Sequence, residues 1–202
     1  MVVNSVPVPS ALSELPNLEW TSGEELETNL FSTEPRASTK LMDIIKKLIH
    51  EVTAFRDQFV EDFQKPVEEI PEYRVPSIPD HLTKTPCFSN YSKEPCLQEI
   101  SRGLQVYQVL LQYAHTQYPQ SSEIPNVRDQ TNILIMLVKG KMKAGTENLT
   151  DSEKKHVLGK VPTKTEWDRK RSVHAILRDL RHFLVDSKKA LCRMGNRGDG
   201  CQ

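Results

Sequence analysis

The sequence predicts an all-α protein, a long-chain up-up-down-down four-helix bundle with two long crossover loops. Three observations predict it: four apolar stripes at helical spacing, a short link between the second and third, and long proline-rich or polar stretches on either side of that pair. The bundle is assigned to residues 39–194, after an acidic tail at 1–38 and before a short C-terminal tail at 195–202. A chain of 202 residues with 37% apolar side chains can build one such core.

The tail before the bundle offers only Ser22-x-x-Glu25, a capping-box pattern that would start a short helical turn. The first long helix is expected from Thr39 to Phe63. There Leu41, Ile45, Leu48, Val52, Phe55 and Phe59 alternate steps of four and three, which sets them along one face. Pro66, Pro71, Pro76, Pro79, Pro86 and Pro95 then exclude helix from the crossover. The second stripe runs Leu97, Ile100, Leu104, Tyr107, Leu111, Ala114, Tyr118, with Pro95 suited to its start and Pro119 to its stop.

Only "YPQSSEIP" joins the second helix to the third, which suits antiparallel neighbours. The third, from about Ile124 to Lys143, carries Val127, Leu134, Leu137 and Val138, and its run Ile133–Val138 is expected to be covered on both sides. The fourth, from about Lys164 to Met194, carries Val173, Leu177, Leu180, Leu184 and Leu191, widened by Ile176 and Phe183, and Gly195 ends it. The crossovers of about thirty and about twenty residues are long enough to travel the length of a bundle, which gives the up-up-down-down order. No single helix of this size is stable alone in water, so each stripe must find the others.

Charge excludes some partners. The 27 acids balance the 27 bases, so the net field gives no reason to expect nucleic acid or a membrane surface. The distribution is uneven: residues 10–36 hold six acids and one base, residues 164–194 nine bases and four acids. The apolar run Ile133–Val138 is far short of the ~20 residues a bilayer span needs, so no membrane insertion is expected. No stretch resembles a signal sequence, and the mature form is expected to begin near Val2.

Cys87, Cys96, Cys192 and Cys201 fit no zinc spacing. With the sequons Asn90-Tyr91-Ser92 and Asn148-Leu149-Thr150, they point to an oxidising secretory compartment, against the reading of free thiols and chance sequons. A Cys87–Cys96 bridge would pin the crossover to the start of the second helix and remove roughly 2.5 to 3 kcal/mol of chain entropy from the unfolded state. Inside that ring Phe88 and Tyr91 either project as interface anchors or fold inward as a lid. Cys192 either pairs with Cys201 around Arg197-Gly198-Asp199, a weak integrin-type tripeptide, or stays free.

Catalytic chemistry finds no support. There is no Gly-rich phosphate loop, no G-x-S-x-G and no H-E-x-x-H. Glu153-x-x-His156 stands alone in the polar second crossover, whereas a di-iron bundle needs two such motifs and two further glutamates. His50, His81, His115, His156, His174 and His182 share no ligand spacing. The reading is therefore of a protein with no catalytic residues, no cofactor and no metal, monomeric when free.

"TEWDRKRSVHAILRDLRHFLVDSKKALCRM" at 165–194 resembles the last helix of the interleukin-6 family: a Trp, a His seven residues on within H-x-I-L-R, then F-L, a basic residue before A-L, and a Met near the end. "CFSNYSKEPC" with the following "LQEISRGLQVYQVLL" is similar to that family's second disulfide loop and second helix. The resemblance implies a secreted, non-enzymatic cytokine that binds a non-signalling alpha receptor and then recruits the shared signal-transducing beta receptor through two further surfaces. By position it implies an alpha-receptor surface of Phe88, Tyr91, Arg178, Lys189, Arg193 and Met194, a beta-receptor anchor at Trp167, and another beta-receptor surface including Lys47 and Glu51. Mammalian members have arginine where Lys189 and Cys192 stand, an extra disulfide in the first crossover, and an aromatic and a small residue in place of Lys47 and Glu51, which points to a non-mammalian branch. Another long-chain cytokine such as granulocyte colony-stimulating factor, or an intracellular helical adaptor, are the rival readings.

Overall fold

The structure, a computed structural model, describes residues 34–61, 73–76, 78, 87, 92–145 and 147–194. Regular structure among them is entirely helical: α1 Glu34–Glu61, α2 Lys93–Gln117, α3 Glu123–Lys139, α4 Asp151–Gly159 and α5 Glu166–Met194. The Ser22-x-x-Glu25 pattern lies outside the described residues, as does the Arg197-Gly198-Asp199 tripeptide.

The stripes read from the sequence become the core. Leu41, Ile45, Leu48, Val52, Phe55 and Phe59 of α1 are all buried, as are Leu97, Ile100, Leu104, Tyr107, Leu111 and Ala114 of α2. On α5, Val173, Ile176, Leu177, Leu180, Phe183, Leu184 and Leu191 are at most 6% exposed, so this helix is a central support. At about 25 cal/mol per Å² of apolar area removed from water, each such side chain contributes roughly 1.5–3 kcal/mol.

Cross-helix contacts fix the directions of α1, α2, α3 and α5. Met42 Sδ lies 3.7 Å from Cys192 Sγ, and eleven residues further along α1 Thr53 Oγ1 accepts from Arg181 Nε, eleven residues further back on α5. These helices are therefore antiparallel. Tyr107 and Phe183 stack with ring centroids 5.3 Å apart where α2 crosses α5. Phe59 and Tyr118 meet edge to face at 5.1 Å, which puts the C-terminal ends of α1 and α2 together. Glu94 at the start of α2 accepts backbone N–H groups of Lys143 and Ala144 just past α3, so α3 runs back along α2. The order is up-up-down-down, with α1 packed on α5 and α3, and α2 packed on α3, α5 and α4.

Some boundaries differ from expectation. Helix α1 begins at Glu34 rather than Thr39, which the sequence permits because Pro35 in a first turn lacks only an N–H that would be unpaired there. Helix α3 stops at Lys139 with Gly140 as its cap, not at Lys143, and tight turn bonds from Lys141 to Val138 and from Met142 to Lys139 close its end. At about 25 Å by its rise per residue, α3 cannot cover an α2 of about 37 Å. The chain solves this with an element absent from the sequence reading. Residues 147–149 fold back onto α2 and lead into α4, burying Leu149, Val157 and Val161. Helix α4 starts with a full capping box, in which Thr150 Oγ1 accepts from the Glu153 N–H while the Glu153 carboxylate accepts from the Thr150 N–H. The Ile133–Val138 run is also not covered all round, since Met136 is 57% exposed.

The first crossover is tied to α5 at Tyr73. Its ring lies 4.0 Å beneath the Arg171 guanidinium, its hydroxyl is 3.4 Å from Ser172 Oγ, and its carbonyl accepts from Arg178 at 2.7 Å. Arg178 also donates to Asp179 at 2.8 Å, and neither side chain is more than 13% exposed. Replacing Arg178 by alanine should remove both bonds and leave Asp179 buried without them, a loss of about 1–3 kcal/mol. The expected result is a lower denaturant midpoint with faster hydrogen exchange of the Ile78 amide, which now bonds to the Val75 carbonyl; unchanged exchange there would mean the crossover is held elsewhere.

His174 supplies a pH dependence. Burial first, then Arg178 and Arg56, push its pKa down to about 4, against smaller opposing effects of Asp179 and Asp57. The fold thus keeps the imidazole neutral, while the unfolded chain takes up a proton near pH 6.5. That share of stability is complete above about 6.5 and lost progressively as pH falls towards 4. Thermal melts between pH 7.5 and 4.5 should show a falling midpoint, and His174→Gln should flatten the fall; an equal slope in the variant would clear His174 of the effect.

Candidate functional site

The ring is built from the start of α2 outward. Ser92 caps the helix in extended conformation, Pro95 sits in its first turn, and Cys96 is 3% exposed. Cys96 is bridged to Cys87 with Cα atoms 5.1 Å apart, as the spacing predicts. Cys87 has a φ of 75°, in the left-handed region that costs a side-chain-bearing residue roughly 1–2 kcal/mol. The bridge and a 3.3 Å bond from the Cys87 N–H to Glu99 hold it there. Phe88, Asn90 and Tyr91 lie outside the described residues.

The last turns of α5 reach the same end of the bundle. From the Tyr107–Phe183 stack, eleven residues back along α2 is Cys96 and eleven forward along α5 is Met194, so the anchor of the ring is level with the end of α5. Lys189 points outward with a 59% exposed side chain and a 3.0 Å ion pair to Asp186. Arg193 is exposed and Met194 half-buried against the core. Cys192 is disulfide-bonded; the pairing expected for it involves Cys201, which lies outside the described residues. Arg178 departs from the expectation of an open surface. Its guanidinium is taken up by Tyr73 and Asp179, a structural duty that the sequence pattern did not reveal.

Trp167 stands at the opposite end of α5. The helix starts with Thr165 Oγ1 accepting from the Asp168 N–H and Asp168 Oδ2 accepting from Thr165, so Trp167 is set in a capped first turn. It is half-buried and packed on the core. Beside it opens a cleft of about 460 Å³ lined by Phe59, Tyr118, Glu123, Glu166 and Lys170 among others. Burial, and then Glu166, push the Tyr118 phenol up to about 12, so it is a neutral donor at physiological pH. Trp167 and Lys189 are twenty-two positions apart on one helix, about 33 Å.

On α1, Lys47 and Glu51 lie off the buried stripe as expected, 3.6 Å apart, with side chains 55% and 21% exposed. A pair whose lysine stands in water, at this distance, adds little stability. Glu153 of the E-x-x-H pattern is used up by α4: bonds from the Thr150 backbone first, then Arg102 and the Thr150 side chain, hold its carboxylate down to about 2. Among the described residues no three His, Cys, Asp or Glu side chains converge as a metal would require. The molecule therefore offers surfaces at both ends and on one flank. A second, larger groove between α2, α3 and α4 was not anticipated; its signal was Gln105, a polar residue set among the apolar positions of the second stripe.

Residues 20–194 match the model of the Interleukin-6/G-CSF/MGF family. The chain is 57% identical to interleukin-6 of Oncorhynchus mykiss over 208 aligned residues, covering 100% of this chain and 93% of that protein. It is 30% identical to interleukin-6 of Sparus aurata, covering 93% and 79%, and 28% identical to that of Sus scrofa, covering 95% and 89%. The higher identities to fish sequences agree with the non-mammalian features of α1 and α5. The chain belongs to the interleukin-6/G-CSF/MGF family.

Proposed function

We propose that the protein is a secreted cytokine that acts by assembling receptors. Phe88 and Tyr91 of the ring, with Lys189, Arg193 and Met194 on α5, bind a non-signalling alpha receptor. Trp167 engages the shared signal-transducing beta receptor, and the flank of α1 at Lys47 and Glu51, with α3, engages another copy of it. Arg178 serves this scheme indirectly, by holding the crossover against α5.

One observation carries most of the reading: the bridged Cys96 lies level with a cationic helix end, while Trp167 stands at the far end of the same helix. Two ends about 33 Å apart can hold two different proteins at once. The basic side chains Lys188, Lys189 and Arg193 favour an acidic receptor patch, and such complementarity acts mainly on the association rate. Lysine at 189 offers a point charge rather than a bidentate fork, so its contact is electrostatic more than geometric.

The deciding experiment measures binding to soluble alpha and beta ectodomains, separately and together. Binding to alpha alone, with beta captured only in the ternary mixture, is the expected pattern; tight binding to beta alone would overturn the order of assembly. Trp167→Ala should keep alpha affinity within a factor of about three, less than 1 kcal/mol, and abolish receptor signalling in cells. Parallel loss of both activities would remove Trp167 from the proposed surface. Lys189→Glu should slow alpha association and flatten its salt dependence, and an unaltered rate would take Lys189 out of the interface.

A further inference from the structure

Both large apolar side chains that stand exposed among the described residues, Met136 at 57% and Leu158 at 40%, line one groove of about 690 Å³ between α2, α3 and α4. A volume of that order suits a small ligand with apolar faces and several polar groups. Exposed apolar side chains gathered in one concave groove are suited to a contact. The groove contains none of the side chains named above for receptors, although α3 forms one of its walls.

Its wall also contains an attachment point. Asn148, of the sequon Asn148-Leu149-Thr150, is exposed at the rim of the groove. The backbone on either side is clamped to α2, because Gln105 accepts from the Leu149 N–H at 3.0 Å and donates to the Glu147 carbonyl at 3.4 Å. Asn148 Oδ1 accepts from Lys139 Nζ at 2.7 Å, which orients the amide and leaves Nδ2 outside that bond. An Nδ2-linked sugar would keep the Lys139 contact, since the carbonyl oxygen survives the linkage.

We propose that Asn148 carries an N-linked oligosaccharide whose first N-acetylglucosamine units lie in this groove and cover Met136 and Leu158. In the transfer, Nδ2 bonds to the anomeric carbon of a lipid-pyrophosphate-linked oligosaccharide; the bond from that carbon to the pyrophosphate breaks, and one amide proton leaves with it. The folded chain is a poor acceptor, because the Thr150 hydroxyl that completes the sequon is engaged by Glu153 in the α4 cap, so transfer precedes folding. Once attached, pyranose C–H faces and acetyl methyl groups meet Met136 and Leu158, and hydroxyls meet the amides of Gln108, Gln112 and Asn132. A second copy or another protein could meet the same apolar side chains, but only the sugar has its covalent root in the wall. The proposal rests on the secretory reading for the compartment alone.

The test uses the full chain secreted from a eukaryotic host behind an added signal peptide. It is compared before and after enzymatic removal of sugar, and with Asn148→Gln from the same host. Peptide mass mapping is expected to find N-acetylhexosamine on Asn148, and peroxide should oxidise Met136 several-fold more slowly in the sugar-bearing form, with Met194 unchanged. Because the host supplies the compartment, failure here is distinct from failure of the secretory reading, which is tested by where the native chain accumulates. An unmodified Asn148 in that host overturns the proposal outright, and an occupied Asn148 with equal Met136 oxidation in all forms overturns the sugar's place in the groove.

Discussion

The seam along α5 is the constraint on which the rest depends. Its apolar side chains from Val173 to Leu191 are removed from water between α1 and α2. A helix held this way cannot slide, because a shift of one residue would swing its stripe by about 100° and carry it towards solvent. The register is therefore discrete, and it brings Cys96 to the level of Met194 as a consequence of core packing. The position of the ring's anchor follows from Tyr107 and Phe183, far from the ring itself.

Two buried polar side chains of that seam are tied to the crossovers. Ser172 donates to the Pro162 carbonyl and meets the Tyr73 hydroxyl, while Asp179 pairs with Arg178, which reaches the Tyr73 carbonyl. A long crossover costs chain entropy that grows only slowly with length, so a few well-placed bonds can hold it. Tyr73 gathers three such contacts on one face of α5. The cost is that charged side chains on this face are committed to structure, which is why Arg178 is covered although Lys189, eleven residues on, is open.

What the sequence showed and hid follows from which forces act locally. The stripes were legible because burial on a helix imposes a period that residues such as Leu41, Ile45 and Leu48 display directly. The Cys87–Cys96 bridge was legible because a short ring at a helix start has a clear purpose. Ends were harder. The end of α3 depends on whether Lys139-Gly140-Lys141 can gain more by turning than by continuing, a small difference decided by the space left on α2. Helix α4 was written in Thr150-x-x-Glu153, yet with Val157 as its single buried residue it shows almost no apolar period, so pattern reading passes over it. The burial of Arg178 and the exposure of Met136 were hidden for a common reason: each depends on a neighbour distant in sequence, Tyr73 in one case and the short reach of α4 in the other. For the candidate surfaces, Lys47, Glu51 and Lys189 could be seen as off-stripe residues, but how far apart the ends of α5 lie needed the helix to be shown unbroken.

That unbroken helix also separates two kinds of damage. A truncation in the middle of the seam, at Leu180 or Phe183, opens a cavity costing about 2–5 kcal/mol and loosens both ends together, because both are referenced to the same packing. A change at Lys189 or Trp167 touches side chains near one terminus, with twenty-one residues of intact helix between them. Losses at the two ends should then add independently, as they do for sites much more than 10 Å apart without shared partners. The protein behaves in this respect as a rigid spacer with a core that sets its length and termini that are free to diverge. Divergence at the ends needs no compensation in the seam, which fits a chain only 28% identical to a mammalian relative yet within the same family.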